Sequence, residues 1–108
     1  MTFSHIPPPR DASALAEGWV EFLHRREGMI HAMSGGLWLH RHIWLGRPMA
    51  HLVSSSRAQL LAWGDRVGMP RDRLQHHPLK DPRDGVRREA WHWDLAGPYL
   101  PPRTSAAK

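Results

Sequence analysis

The sequence predicts a small single domain of the α/β or α+β class, with elements in the order α-β-β-α-β and a short mixed sheet flanked by two helices. Three observations carry that prediction. "SSSRAQLLAWGDRVGMP" reads as a capped amphipathic helix, "LWLHRHIWL" alternates as a strand does, and "WHWDL" alternates again near the end. A chain of 108 residues has room for one core and not for two.

Taken in order, "MTFSHIPPPR" is an extended, polyproline-like lead-in over residues 1–10. "DASALAEGWVEFLHRREG" reads as the first helix: Asp11 or Ser13 caps it, Ala12, Leu15, Trp19, Phe22 and Leu23 recur at three- and four-residue spacing, and Gly28 stops it. Gly18 inside that pattern costs about 1 kcal/mol relative to alanine. "MIHAM" and a turn at Ser34, Gly35 and Gly36 lead into the strand over 37–45. Gly46, Arg47 and Pro48 break the strand, and "MAHLV" over 49–53 resumes it. Ser56 and Gln59 make a capping box, Leu60, Leu61, Gly64 and Val67 form the buried stripe, and Gly68 with Pro70 ends the second helix. Residues 70–89 are polar and read as a long loop with a short strand near 74–76. In the last strand Trp91, Trp93 and Leu95 face one way, His92 and Asp94 the other. The globular part is expected over 11–95, with a flexible tail over 96–108.

Composition narrows the function classes. There is no cysteine, which excludes disulfides and thiolate metal sites and makes a reducing compartment the default. No apolar run approaches the roughly 20 residues that span a bilayer, and prolines interrupt the N-terminal stretch early. A soluble cytoplasmic protein with no membrane partner is expected. The formal charge is +5, carried by arginine far more than lysine, which suits a nucleotide or nucleic-acid ligand. Acidic residues interleave with the arginines in "RDRLQHHPLKDPRDGVRRE", so a solvated mixed-charge surface explains the same composition.

The candidate chemistry lies in the histidines. His40 and His42 sit at i and i+2 on a strand, so they point the same way, roughly 7 Å apart at the backbone. Two imidazoles at that separation can converge on one ion at about 2.0–2.1 Å. His51 is the nearest third ligand, and its face depends on register. Pairing Trp44 with His51 puts it beside His40 and His42, whereas pairing Ile43 with His51 inverts it. His92 and Asp94 form a second i, i+2 pair whose carboxylate can ligate a metal, orient an imidazole or act as a general base. His24 falls on the exposed side of the first helix, His5 and His31 lack partners, and His76 and His77 are adjacent and so point apart. Tryptophans and histidines on the open face of a sheet also occur with no ligand at all.

"LWLH" (37–40), "GRPMAHLVSS" (46–55), "QLLAWGDRVGMPRD" (59–72) and "HWDL" (92–95) together resemble a bacterial and phage family, the domain-of-unknown-function family numbered 4031. That family has a "VYVD" strand, an Arg-rich turn, "HL(I/V)AD", an "ELHAFA…LG(L/V)" helix and a terminal "HYD". The resemblance implies that His51, His92 and Asp94 are its polar positions in this chain, and it brings no established reaction. His40 stands where the family has Asp, Ser54 and Ser55 where it has Ala-Asp, and "AGPYLPPR" replaces a helix. Those departures imply a changed ligand set or a lost activity.

Together these observations predict a metal-dependent hydrolase of a phosphate-containing substrate. His51, His92 and Asp94 would be its catalytic residues, and His40, His42, His51, His92 and Asp94 the ligands of one divalent Zn, Mn or Fe ion. Arg41 and Arg47 would bind phosphate, and no organic cofactor is called for. A non-catalytic binding or accessory module with a structural histidine cluster is the alternative. A metal-free pair of Asp94 with His51 or His92 is the third reading.

Overall fold

Local chemistry sets the element boundaries in the computed structural model, which describes residues 8–103; most of the lead-in and the end of the tail lie outside the described residues. The chain first makes a 3-10 turn, Ala12–Ala16, capped by the Asp11 carboxylate, which accepts from the Ser13 amide at 3.1 Å. The long first helix expected over 11–28 does not form. Gly18 takes a φ of +86°, in the left-handed region that glycine tolerates, and turns the chain into a two-residue strand β1, Trp19–Val20. Helix α1 follows at Arg25–Met33 and includes both Gly28 and "MIHAM". Gly28 is inside the helix for a tertiary reason: a Cβ there would lie 2.1 Å from the Trp38 ring, so glycine lets α1 lie on the sheet.

Strand β2, Leu37–Trp44, and strand β3, Arg47–Ser54, are one hairpin. Leu45 and Gly46 form its loop with φ of 51° and 76°, the positive pair of a type I′ turn. Arg47 and Pro48, expected as a break, are therefore the first residues of β3, opposite Trp44 and Ile43. Proline is tolerated there because the strand on the other side of β3 reaches only to Met49. Helix α2, Arg57–Val67, is capped as expected: Ser56 Oγ accepts from the Gln59 amide at 3.2 Å, and Gly68 closes the helix at φ 90°. The Trp93 indole lies against Gly64 and donates to the Leu60 carbonyl at 2.9 Å.

The segment over 70–89 is more ordered than a loop. It holds β4, Gln75–His76, and a small hairpin of β5, Leu79–Lys80, with β6, Arg87–Arg88. Asp81, only 1% exposed, fastens the hairpin turn by accepting from the Arg83 amide at 2.9 Å and from the side chains of Arg83 and Arg88. Strand β7, Trp91–Ala96, is the last strand in the chain and lies between β3 and β4, and a 3-10 turn, Gly97–Tyr99, buries Tyr99 and carries packed chain past residue 95.

The result is an α+β domain whose main sheet has the order β1-β2-β3-β7-β4, antiparallel except for the parallel β1–β2 pair. Helix α2 covers one face, over Leu37, Leu39, Ala50, Leu52, Trp93 and Leu95. Helix α1 lies on the other through Met29, Ala32 and Met33, but only over the end that carries Trp38 and Val53. No helix among the described residues is long and apolar enough to cross a membrane.

Candidate functional site

The half-covered face is where the polar residues gather. Alternation along β2 sends Trp38, His40 and His42 to this face, and along β7 it sends His92 and Asp94. The register of β3 decides the rest. His51 pairs with His40 on one side and with Asp94 on the other, which puts all three on one face. The exact partner is neither of the two weighed from sequence, but its parity is that of the Trp44–His51 register. On the far side β4 places Gln75 opposite His92.

Within this patch two imidazoles converge on one carboxylate oxygen. His51 Nε2 lies 3.1 Å from Asp94 Oδ1, and His92 Nε2 lies 3.3 Å from the same atom. Gln75 Nε2 donates to the other oxygen, Oδ2. Oδ1 is buried and receives no well-directed hydrogen bond, so both ring contacts are bent rather than straight N–H···O bonds. The neighbouring His51 ring, and then that of His92, hold the Asp94 carboxyl far below the usual carboxylate range against the opposing effect of burial. One ligand atom from each of His51, His92 and Asp94 lies within 4.8 Å of the other two, and this is the one such group among the described residues.

Other rings pack around the group. His42 stacks on His51 with centroids 4.5 Å apart, and His92 meets His51 edge-on at 4.9 Å. His40 stacks on Trp38 at 5.0 Å and is 6.5 Å from His51. Burial, followed by the charge of Arg25 and the two nearby histidines, lowers the His40 pKa and favours its neutral form. His42 Nδ1 is buried without a hydrogen-bond partner.

Of the residues expected from sequence, His51, His92 and Asp94 come together, whereas His40 and His42 share their face but stand outside the close group. Arg47 is on that face too, at the hairpin end. Arg41 is not: it points to the opposite face, and its donors are occupied. Nε donates to Glu21 at 2.9 Å, and the two terminal nitrogens donate to the carbonyls of Pro101 and Pro102, each at 2.8 Å. The substrate role expected for Arg41 is thus corrected to a structural one. It ties β2 to the chain before α1 and to the chain after β7.

Sequence reasoning passed over three neighbours of the group. Gln75 comes from a segment without periodicity, and only its pairing with β7 brings it in. His77 reaches the His92 ring at 5.8 Å, while His76 turns the other way to Trp91 and Glu89. The Arg25 guanidinium, at the start of α1, lies over the Trp38 ring at 5.8 Å, beside His40. An ionised carboxylate flanked by two imidazoles is a donor set for a borderline divalent cation, and without one it is a hydrogen-bonding cluster. No protein-family model matches the chain, and neither a curated protein nor a solved structure does so.

Proposed function

We propose that His51, His92 and Asp94 hold one divalent Zn, Mn or Fe ion and that the protein is a metal-dependent hydrolase of a phosphate-containing substrate, a nucleotide or nucleic acid. The observation that carries this reading is the spacing of the three donors. Ligands bound to one ion at about 2.0–2.1 Å in a tetrahedral arrangement lie about 3.3–3.4 Å from one another. The two nitrogen–oxygen separations, 3.1 and 3.3 Å, are close to that edge length. A metal-free His–carboxylate pair needs one straight hydrogen bond, and here two rings share an oxygen that receives none. That favours the cation over the dyad.

Each residue then has a defined task. His51 and His92 offer Nε2, Asp94 offers Oδ1, and Gln75 holds Oδ2 so that the carboxylate cannot rotate away. His42, stacked on His51, fixes the plane of that ring. A bound cation supplies a water of lowered pKa and an electrophile for a phosphoryl oxygen. In the hydrolysis the water oxygen bonds to phosphorus, the ester P–O bond breaks, and the alcohol leaves with one of the water's protons. The lack of cysteine suits a protein that works in a reducing compartment such as the cytoplasm.

The test is turnover of bis(p-nitrophenyl) phosphate and p-nitrophenyl phosphate by full-length protein with added Mn²⁺ or Zn²⁺. Release of nitrophenol above the metal-only blank is expected, abolished by chelator and reduced at least about a hundredfold in Asp94→Asn. Rates equal to the blank with either ion and both esters would refute the hydrolase.

A further inference from the structure

Two depressions open on this face, and His51 belongs to both. One, of about 240 Å³, lies between α1 and the sheet and is walled by Arg25, Met29, Trp38, His40 and His92. The other, of about 430 Å³, runs toward the hairpin tip past Asp94, Met49 and Trp44. Each of these two lobes is lined by two members of the close group, His51 and His92 in the first and His51 and Asp94 in the second.

The lobes differ in chemistry. In the first, Arg25 is a cation without a carboxylate partner among the described residues; its guanidinium lies over the Trp38 ring and beside His40. The arginines Arg41, Arg71, Arg83 and Arg88 are all engaged by Asp or Glu. An uncommitted guanidinium beside imidazoles that bring no negative charge is suited to phosphate oxygens, which it meets with two parallel N–H bonds. In the second lobe Trp44 leaves 59% of its surface exposed on the same face as His42 and His51. An indole held out from a rigid hairpin offers a flat surface for a ring to stack on.

We infer that the two lobes together take a nucleoside phosphate across His51, its phosphate held by Arg25 in the first and its base stacked on Trp44 in the second. The inference rests on the phosphate-ester reading above and makes it specific. It assigns the phosphate-binding role to Arg25 in place of Arg41, and it requires both a phosphate and a flat ring in the same ligand.

The experiment is calorimetric titration of the full chain with AMP, inorganic phosphate and adenosine, each with and without Zn²⁺. AMP is expected to bind more tightly than either fragment. Arg25→Gln should weaken AMP and phosphate about tenfold and leave adenosine unchanged. Trp44→Ala should weaken AMP and adenosine about tenfold and leave phosphate unchanged. Both side chains are exposed, so an unchanged melting temperature certifies the fold of each variant. AMP binding that ignores either substitution, or no AMP binding in either metal state, overturns the inference. The two readings fail separately: Zn²⁺ uptake without AMP binding removes the nucleotide site and leaves the cation. AMP binding with the expected variant pattern but no Zn²⁺ uptake removes the cation and leaves the nucleotide site.

Discussion

The two faces of the central sheet are built from the same three strands and serve opposite ends. On the α2 side, Leu39, Ala50, Leu52, Trp93 and Leu95 are at most 1% exposed and closed over by a helix that fits them. On the α1 side, apolar packing stops at the row of Trp38 and Val53, which His92 continues, and the next rows bring His40, His51 and Asp94 and then His42. The cause is the length of α1. Its nine residues span about 13 Å, too short to cover strands of eight residues from end to end. Alternation at period two then divides the work between neighbours in sequence. Trp93 is buried in the core, and His92 and Asp94 on either side of it face the polar cluster.

That division can be broken most forcefully at adjacent residues. Trp93→Ala empties a fully buried site and orphans the Leu60 carbonyl contact, so a loss of about 3–5 kcal/mol in urea unfolding is expected. His92→Ala, one residue away, is expected to alter stability by less than about 1 kcal/mol while removing cation binding. Equal losses of stability from the two would mean that the faces are not separate in function.

A smaller effect tests the corrected role of Arg41. Its side chain is 12% exposed and bridges Glu21 and two carbonyls, so Arg41→Ala should lower stability by about 2 kcal/mol. Cation binding and phosphate binding should be unchanged. A variant that keeps its stability but loses phosphate affinity would return Arg41 to the site.

The hairpin that aligns His51 with His40 carries a mild strain. Leu45 has a φ of 51°, where branched side chains fit poorly and asparagine fits well. Leu45→Asn is expected to raise unfolding free energy by about 0.5–1 kcal/mol with the same cation affinity. A destabilised Leu45→Asn would mean that the exposed leucine contributes packing that outweighs its backbone conformation.

The gentlest test is acid. Hydrogen bonds from Arg83 lower the Asp81 pKa, and those from Arg88 lower that of Asp84. Groups with a depressed folded-state pKa stabilise fully above the unfolded value, here 3.8, and lose that contribution as pH falls through the folded value. Melting temperature should therefore decline as pH drops below about 4, and Asp81→Asn should flatten that decline. An unaltered acid slope in Asp81→Asn would detach the β5–β6 hairpin from acid stability.

Much of this division was legible in the sequence. The Ser56 capping box, the Gly68 stop and the alternation of β2 and β7 each follow from local chemistry, and each is found. Alternation along β2 also puts Arg41 on the face opposite His40, as found, whereas its positive charge alone points to phosphate. The shared face of His51 was conditional because it turns on the number of residues in one loop, and Leu45–Gly46 is a poor signature for the turn it makes. Helix α1 was misread because Gly28 is a stop signal locally and a packing surface for Trp38 in three dimensions. Gln75 and Arg25 had no local signal at all. Their relation to the group exists only once β4 joins β7 and α1 lies on the sheet.

Elemental analysis tests most directly whether His51, His92 and Asp94 form a cation site. Untagged protein purified without chelator, then equilibrated with Zn²⁺ or Mn²⁺ and desalted, should retain close to one ion per chain. His51→Ala and Asp94→Asn should retain almost none, while wild-type and variant proteins melt within a few degrees of each other once metal-free. Wild-type protein that holds no transition metal and takes up none, or variants that bind it as well as wild type, would contradict the claim.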